Sequence, residues 1–401
     1  MLNTKFSPWP SFTQEEADKV SEVLLSNKVN YWTGQEGREF EKEFAHFTDC
    51  DYAVAVANGT LALDLALVAL GIGQSNGGSL NDEVIVTSRT FLASASSIVT
   101  AGAKPIFADV DLNSQNITAK TIEAVLTGKT KAIIAVHLAG MPCEMDEIMS
   151  LANKYDIKVI EDCAQAHGAK YKGRSVGSIG HIGAWSFCQD KIMTTGGEGG
   201  MITTNEESLW KKMWAYKDHG KSWDAIYHKE HPPGFRWLHE SFGTNWRLTE
   251  MQSAIGRIQL KRMSAWFEAR NEHAAKIESA LSQFDLIRLV DVPDYIDHAQ
   301  YKYYAFIKPE LLADDWTRDR IVEEINSMGV PCFQGSCSEV YLEKAFENTE
   351  YRPKAHLPNA RMLGETSLMF LVHPTLSYKE MDKTLQVVNQ ILTQASLKKA
   401  N

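Results

Sequence analysis

The sequence has no long apolar run. Nowhere among its 401 residues do about 20 apolar residues follow one another, the length that a membrane-spanning helix needs. The opening, Met1–Pro10, shows no basic stretch followed by an apolar one, as a secretory signal would. We therefore expect a protein with no transmembrane helix and no secretory leader.

Cysteines are few and scattered. The six are Cys50, Cys143, Cys163, Cys188, Cys332 and Cys337. None forms a CxxC pair, which argues against a zinc ribbon, and no histidine–carboxylate cluster or HExxH spacing predicts another metal site. We expect free thiols in a reducing cytoplasm and no bound metal.

Basic charge is also scarce. Lysine plus arginine number 41 against 51 for aspartate plus glutamate, a formal net charge of −10. Basic residues cluster no further than pairs such as Lys211–Lys212, so a nucleic acid is not an expected partner. The stretch Gly71-Ile-Gly73-Gln-Ser-Asn76 lacks the third glycine of a dinucleotide fingerprint and follows a predicted helix. This argues against a nicotinamide oxidoreductase.

The sequence does contain a regular alternation of strands and helices. Predicted strands are Tyr52–Ala57, Glu83–Thr87, Pro105–Ala108, Lys131–Val136 and Ile157–Glu161, and predicted helices are Leu61–Leu70, Leu92–Ala101 and Met145–Tyr155. Two more short strands and a functional loop are predicted within Gly177–Gly200. Short runs rich in Val and Ile suit a sheet covered on both faces, and the alternation predicts a mainly parallel α/β sheet flanked by helices.

A long helix predicted over Thr249–Glu278 separates this pattern from a second one. The length of 401 residues favours a large domain plus a smaller one. We place the boundary near Lys261, giving a large α/β domain over 1–260 and a smaller C-terminal α+β domain over 261–401. The smaller domain is predicted to contain a strand near Tyr301–Ile307, a helix near Thr317–Met328, a long loop around Cys332–Ala360 and a last helix from Tyr378.

Two motifs follow predicted strands, where open α/β sheets bind their ligands. Asn58-Gly59-Thr60 lies between a strand and a helix, so its backbone N–H groups suit a phosphate. The alternative is an ordinary helix start capped by Thr60. Glu161 and Asp162 end another strand, where only one of two adjacent side chains can face the cleft. The alternative there is a solvated acidic turn.

Lys191 ends a third motif, which begins at Ser186. It follows an apolar strand and precedes the glycine-rich Gly196–Gly200, so we expect a partly desolvated, nucleophilic amine rather than a surface lysine. A phosphate cradle, a carboxylate and a buried amine are what pyridoxal 5'-phosphate (PLP) needs for its phosphate, ring nitrogen and aldehyde. Phe91 would offer an aromatic face to the ring.

These motifs resemble the DegT/DnrJ/EryC1/StrS family of sugar aminotransferases, which has the aspartate-aminotransferase fold (PLP fold type I). The matching segments are NGT at Asn58, TFLAS at Thr90, EDCAQAHGA at Glu161, SFCQDK at Ser186, GGEGGM at Gly196 and GTNWRLTEMQSAIGRIQL at Gly243. Each segment alone is weak evidence, but their order and combination are specific. The resemblance extends from about Trp32 to the last helix.

The resemblance implies roles for individual residues. Lys191 would be the Schiff-base lysine and would move the proton during transamination, and Asp162 would pair with the pyridinium nitrogen. Gln165 would lie near the ring hydroxyl, and Phe91 would stack on the ring. Residues expected at the phosphate are Gly59, Thr60 and Ser186, joined by Asn245 from the neighbouring subunit of a homodimer with shared active sites.

Substrate contacts are less well defined by the resemblance. His219 matches a family position near the substrate, and Arg236 belongs to an aromatic stretch over 231–239 that either contacts substrate or fills the dimer interface. The sequence departs from the family at Gly196 and Gly197, which are adjacent where many members have one glycine. The loop after the lysine is therefore one residue longer than expected.

The implied reaction moves an amino group, expected to come from glutamate, to a keto group of a nucleotide-linked, deoxy sugar. Such reactions serve amino-sugar, lipopolysaccharide or O-antigen biosynthesis. The alternatives are a PLP-dependent dehydratase of the same fold, whose relatives replace the lysine with histidine, and a non-catalytic regulator, which tends to lose the lysine or carboxylate. The sequence leaves open the sugar, the nucleotide, the carbon aminated and the stereochemistry.

Overall fold

The computed structural model describes residues 5–396. The first four residues of the opening Met1–Pro10 and the last five of the predicted 261–401 domain lie outside this range. The α-helices are α1 (Gln14–Leu25), α2 (Glu36–Phe47), α3 (Gly59–Leu70), α4 (Ala93–Thr100), α5 (Ala119–Glu123), α6 (Met145–Tyr155), α7 (Glu207–Tyr216), α8 (Trp223–Tyr227), α9 (Glu250–Leu281), α10 (Arg318–Ser327), α11 (Pro358–Thr366) and α12 (Tyr378–Ala395).

The β-strands form three sheets. The strands are β1 (Tyr52–Val56), β2 (Glu83–Thr87), β3 (Lys104–Ala108), β4 (Thr130–Val136), β5 (Lys158–Asp162), β6 (Lys170–Tyr171), β7 (Arg174–Ser175), β8 (Ile182–Ser186), β9 (Gly200–Thr204), β10 (Ile287–Leu289), β11 (Ile296–Asp297), β12 (Tyr303–Ile307), β13 (Cys332–Phe333) and β14 (Ser367–Phe370). The orders are β1-β9-β8-β5-β4-β2-β3, β10-β12-β14-β13 and β11-β6-β7.

The large sheet is mainly parallel, as the sequence predicts. Pairings β8–β5, β5–β4, β4–β2 and β2–β3 are parallel, and β9 runs antiparallel to both of its neighbours, β1 and β8. Alternate residues of one strand enter different cores: Val84 and Val86 belong to one hydrophobic cluster and Ile85 to another. Because both faces are covered, the strands read as unbroken apolar runs.

The topology gathers the motifs at one edge of this sheet. Strands β1, β2, β4, β5 and β8 all end there, since they point the same way, while β9 begins there. The segments that follow them therefore converge on one cleft, as expected at the carboxyl ends of parallel strands.

Several predicted boundaries need correction. The predicted helix Met145–Tyr155 and strand Glu83–Thr87 coincide with α6 and β2. Within Gly177–Gly200, however, only β8 is present, because β9 begins at Gly200. The expected loop Cys332–Ala360 is also wrong as a single loop: it starts with β13 and ends in α11, which has a proline in its first turn.

The smaller sheet packs with the later helices. The capping box of Thr249 and Gln252 starts α9, and this one helix runs through the predicted domain boundary at 260/261. Its C-terminal half joins a hydrophobic cluster with β12, β14, α10 and α12. The division into 1–260 and 261–401 stays a prediction. Over residues 5–396, no helix has both the length and the apolar character needed to cross a membrane.

Candidate active site

A cleft of about 650 Å³ opens at the convergent edge of the large sheet. The predicted cofactor residues that line it are Gly59, Thr60, Phe91, Asp162, Gln165, Ser186 and Lys191. They come from four separate stretches of the chain. The topology therefore brings together residues that the sequence pattern could only propose as a set.

The first turn of α3 packs closely against the end of β8 at the edge of the cleft. Asn58 is the helix cap, since its side chain accepts a hydrogen bond from the Leu61 N–H at 2.9 Å, so the alternative with Thr60 as cap is wrong. A Cβ atom on Gly59 would lie 2.5 Å from Cβ of Ser186. Glycine is therefore required at 59, and the free N–H groups of this first turn border the cleft beside the Ser186 hydroxyl.

Asp162 is the carboxylate that faces the cleft. It is only 6% exposed, and its oxygens accept hydrogen bonds from the Ser94 hydroxyl at 2.8 Å and the Ala164 N–H at 3.2 Å. Burial raises the pKa of Asp162, although both hydrogen bonds act to lower it. Both partners are neutral, so this buried carboxylate suits a cationic ligand group such as a protonated ring nitrogen.

Glu161 points to the opposite side of β5 and has a structural role. Its carboxylate accepts hydrogen bonds from His137 Nε2 at 3.0 Å and from the N–H groups of Gly177, Ile179 and Gly180. Burial raises the pKa of Glu161, but these hydrogen bonds outweigh it and lower the pKa overall. The alternative of a solvated acidic turn is wrong, because both carboxylates are buried.

His137, Glu161 and Cys163 form a cluster of potential metal ligands, with ligand atoms within 4.8 Å of one another. The His137 Nδ1 atom accepts the Cys143 N–H at 3.0 Å, so Nε2 carries the proton that it donates to Glu161. The Cys163 thiol lies 3.7 Å from the Glu161 carbonyl oxygen, to which it donates. These hydrogen bonds account for the cluster without a metal ion.

Lys191 is partly buried, with 16% of its side chain exposed. Its Nζ atom lies 3.6 Å from Oδ1 of Asp190 and 5.4 Å from the ring centre of Tyr301. Its backbone carbonyl accepts a 2.8 Å hydrogen bond from the indole of Trp9. Sequence patterns missed Trp9 and Tyr301, because contacts between residues so far apart in the chain leave no local signal.

Further side chains line the floor and rim of the cleft or hold its lining residues in place. Gln165 Oε1 accepts the Ala139 N–H at 2.8 Å, which fixes its amide. Phe91 is 68% exposed at the rim, so its ring is open to a ligand. Thr90 lies 2.9 Å from the Ser94 hydroxyl, which in turn holds Asp162. Ser94 belongs to the quoted TFLAS motif but was given no role from the sequence.

Three predicted residues do not line the cleft of their own chain. Asn245 is exposed and pairs with Asp218 in an isolated bridge. His219 is exposed, and its N–H donates to the Thr244 carbonyl at 2.9 Å. Arg236 is exposed between Phe235 and Trp237, which are themselves 79% and 83% exposed. One chain alone therefore does not bring these side chains to the cleft.

The chain belongs to the DegT/DnrJ/EryC1/StrS aminotransferase family, whose pattern matches residues 10–391. It is similar to GDP-perosamine synthase of Caulobacter vibrioides, at 34% identity over 96% of this chain and 97% of that protein. It is also similar to UDP-N-acetyl-3-dehydro-alpha-D-glucosamine 3-aminotransferase of Acidithiobacillus ferrooxidans, at 34% identity over 98% and 96% of the two chains.

Among solved structures, the aminotransferase from Psychrobacter cryohalolentis is 61% identical, with a TM-score of 0.94 over 97% of this chain and 99% of that one. The expected family and the PLP fold type I architecture are confirmed. The protein is a PLP-dependent sugar aminotransferase. The residues in the cleft fit that cofactor, because the N–H groups of the first turn of α3 border the cleft beside Ser186 and Asp162 lacks a cationic partner.

Proposed function

We propose that this enzyme transfers an amino group from glutamate to a keto group of a sugar attached to a nucleotide diphosphate. The observation that carries the proposal is the presence of Lys191 and Asp162 in one cleft with the first turn of α3 and Ser186. The names of the relatives support a nucleotide-linked substrate, one carrying GDP and the other UDP. Products of this kind are used in amino-sugar and polysaccharide biosynthesis. We further propose that the reaction takes place in the cytoplasm.

The cofactor would be held by groups on several strands. We assign Lys191 to its aldehyde carbon, Asp162 to its ring nitrogen and Gln165 to the region of its ring hydroxyl. Phe91 would cover one face of the ring. The phosphate would occupy the first turn of α3, where Gly59, Thr60 and Ser186 border the cleft.

Bound PLP supplies an electron-withdrawing ring that stabilises negative charge developing on the substrate carbon. Asp162 holds the ring nitrogen in its protonated form, and Ser94 and Ala164 hold Asp162 in place. The Lys191 amine moves a proton at the reacting carbon as general base and then as general acid. Its partial burial limits competition from water. A lysine at 191 disfavours the dehydratase alternative.

We further propose a homodimer with shared active sites. Asn245, at the exposed start of the segment that leads into α9, would reach the phosphate of the neighbouring chain. The segment before it carries exposed aromatic side chains: Phe242 is 99% exposed, and Phe235 and Trp237, whose ring centres lie 4.8 Å apart, are 79% and 83% exposed. Such a cluster is costly to leave in water and suits an interface. His219 and Arg236 would then face the neighbour's substrate.

Two experiments test the function. Borohydride reduction of the purified, cofactor-bound protein should fix the cofactor on the Lys191 peptide, and Lys191→Ala should abolish that label. A label on another lysine refutes the site assignment. In the second, glutamate with an isotopically labelled amino nitrogen is incubated with GDP-, UDP- and dTDP-linked keto sugars. Mass spectrometry should find the label in one amino-sugar product; a dehydrated sugar without label would favour the dehydratase instead.

A further inference from the structure

A second cavity, of about 360 Å³, adjoins the cofactor cleft. The two share Phe91, Gln165, Asp190 and Lys191 in their linings. The far wall of the second cavity comes from β12, β13, the residues that follow β13, and the end of β14. A substrate that reaches Lys191 can therefore extend into this space.

Lys302 lines the second cavity and lacks a counterion. Within residues 5–396, its amine makes no hydrogen bond and no ion pair, and the ring of Tyr301 lies 4.9 Å away. Burial and repulsion from Arg270 lower the pKa of Lys302 to about 8. A lysine in this position is available to a ligand, because no carboxylate of the described chain forms an ion pair with it.

Two buried arginines behind the cavity wall add to the positive charge. Arg270 is 1% exposed and donates only to the carbonyls of Gln300 and Tyr301, while its Nε and Nη2 have no partner. Arg89 is fully buried, and its partners are also neutral. They are the Gln115 side-chain oxygen at 3.1 Å and the hydroxyls of Ser338 at 2.7 Å and Ser367 at 3.3 Å.

Negative charge around the cavity is scarce by comparison. Asp190 is the carboxylate in its lining, and it already lies 3.6 Å from the Lys191 amine and accepts the Tyr301 hydroxyl. Buried cations without counterions are costly to the fold. A protein can keep buried cations of this kind, despite their cost in free energy, where an anionic ligand offsets that cost in the complex.

We propose that the second cavity is the subsite for an anionic group of the substrate and that Lys302 is the residue that contacts it. This inference rests on the proposed function, which supplies two sources of such a group. One is a carboxylate of the amino donor, and the other is the diphosphate of the sugar nucleotide. Arg270 and Arg89 contribute long-range attraction from behind the wall.

The test compares three variants of the cofactor-bound protein by titration calorimetry. Lys302→Met removes the charge but keeps the stem, and Lys302→Arg restores a charge. Lys308→Met is the matched control, since this lysine lies just after β12 outside both cavities and its amine donates to the Asp285 carbonyl. The probes are glutarate, a dicarboxylate without an amine, and inorganic pyrophosphate. Thermal unfolding confirms that each variant is folded.

We expect Lys302→Met to raise the Kd of one probe about 10- to 100-fold, the loss typical of a charged hydrogen bond. Lys302→Arg should recover part of this loss, and Lys308→Met should bind as wild type. An effect on glutarate alone assigns the subsite to the donor carboxylate, and an effect on pyrophosphate alone assigns it to the diphosphate.

The proposal is overturned if Lys302→Met binds both probes as wild type does, or if the wild-type protein binds neither. The proposed function is tested separately by adding glutamate to the wild-type protein. If wild type takes no amino group from glutamate but binds a probe through Lys302, the subsite stands and the function fails.

Discussion

Asp162 is a buried carboxylate whose hydrogen-bond partners are all neutral. Its carboxylate is buried against neutral hydrogen-bond donors, whereas the equally buried Glu161 next to it has the imidazole of His137 and three backbone N–H groups. The pKa of Asp162 is raised and that of Glu161 is lowered. The charge of Glu161 is therefore stabilised by its neighbours, whereas that of Asp162 is not fully stabilised. Asp162 requires a partner from a ligand, and Glu161 does not.

Asp162→Asn should keep the fold and lose most of the rate, because an amide cannot hold the charge of a protonated ring nitrogen. We expect the single-turnover rate with glutamate to fall by about 100-fold or more, equivalent to ~3 kcal/mol. Stopped-flow absorbance of the bound cofactor measures this rate. An unchanged rate would remove Asp162 from the mechanism.

The pKa of Lys302 gives a pH dependence to anion binding. The groups facing its amine are Arg270 on α9, Asp190 and Lys191 after β8, His373 after β14, and Tyr301 beside it. Anion binding needs the protonated amine, and its pKa is about 8 in the free protein. Glutarate keeps both carboxylates ionised over this range, so its Kd should be constant well below pH 8 and rise about tenfold for each pH unit well above it. With pyrophosphate, which changes its own charge near neutral pH, the same effect is measured as the ratio of the Kd to that of Lys302→Arg.

Calorimetric titrations across this pH range measure the effect. In Lys302→Arg the guanidinium stays charged, so the rise above pH 8 should disappear. A rise of the same size in that variant would assign the titration to another group.

Among the elements, β5 holds the turn before β8 in place through the carboxylate of Glu161. The carboxylate holds the 177–180 turn against the strand, and Trp185 lies under Gly177, where a Cβ atom would come 2.4 Å from its ring. The turn precedes β8, which leads to Lys191. Of this pair of adjacent residues, Asp162 thus faces the cleft and Glu161 supports the packing of β8.

Glu161→Gln should lower stability rather than the chemical rate. Its amide NH₂ group would oppose N–H donors that need an acceptor, at a cost of about 3 kcal/mol. Urea denaturation measures the change, with Asp162→Asn as the control that should unfold close to wild type. Because the pKa of Glu161 is lowered in the folded state, the carboxylate stabilises the fold above its ordinary pKa of 4.5. The difference should shrink as pH falls through the lowered value, and a difference independent of pH would contradict this role.

Local periodicity predicted the elements of the large sheet well, since each strand is a short run buried on both faces. It failed where tertiary contacts decide. Residues after Cys332 include many polar side chains, and α11 was missed because its helical face is short. Side-chain alternation predicts that Glu161 and Asp162 face opposite sides of β5. It does not say which of them faces the cleft, and the structure shows that it is Asp162. Trp9, Lys302 and the buried arginines could not be inferred, because their environment is built from distant segments.

At the scale of the whole molecule, Asn245 and the aromatic side chains that precede it are exposed, and Asn245 does not line the cleft of its own chain. We expect each site of a dimer to use Lys191 from one chain and Asn245 from the other. A closed two-fold interface makes the two sites equivalent.

Mixing two defective variants tests this arrangement. Lys191→Ala is expected to be inactive and Asn245→Ala weakened. In a mixed dimer one site carries both defects and the other neither, so activity should recover towards half of wild type per mixed dimer. Steady-state assays after subunit exchange measure this, with sedimentation to establish the dimer. A fully active monomer, or no recovery after proven exchange, would contradict the shared site.

The pairing of β8 with β9 has a consequence for the length of the loop that joins the two strands. Ser186, the last residue of β8, pairs with Gly200, the first of β9, so the lysine segment is closed by neighbouring strands at both ends. A Cβ atom on Gly197 would meet nothing within 4 Å. We predict that the extra glycine expected in this loop lies in this open space, so that deletion of Gly197 would leave the pairing of β8 with β9 unchanged.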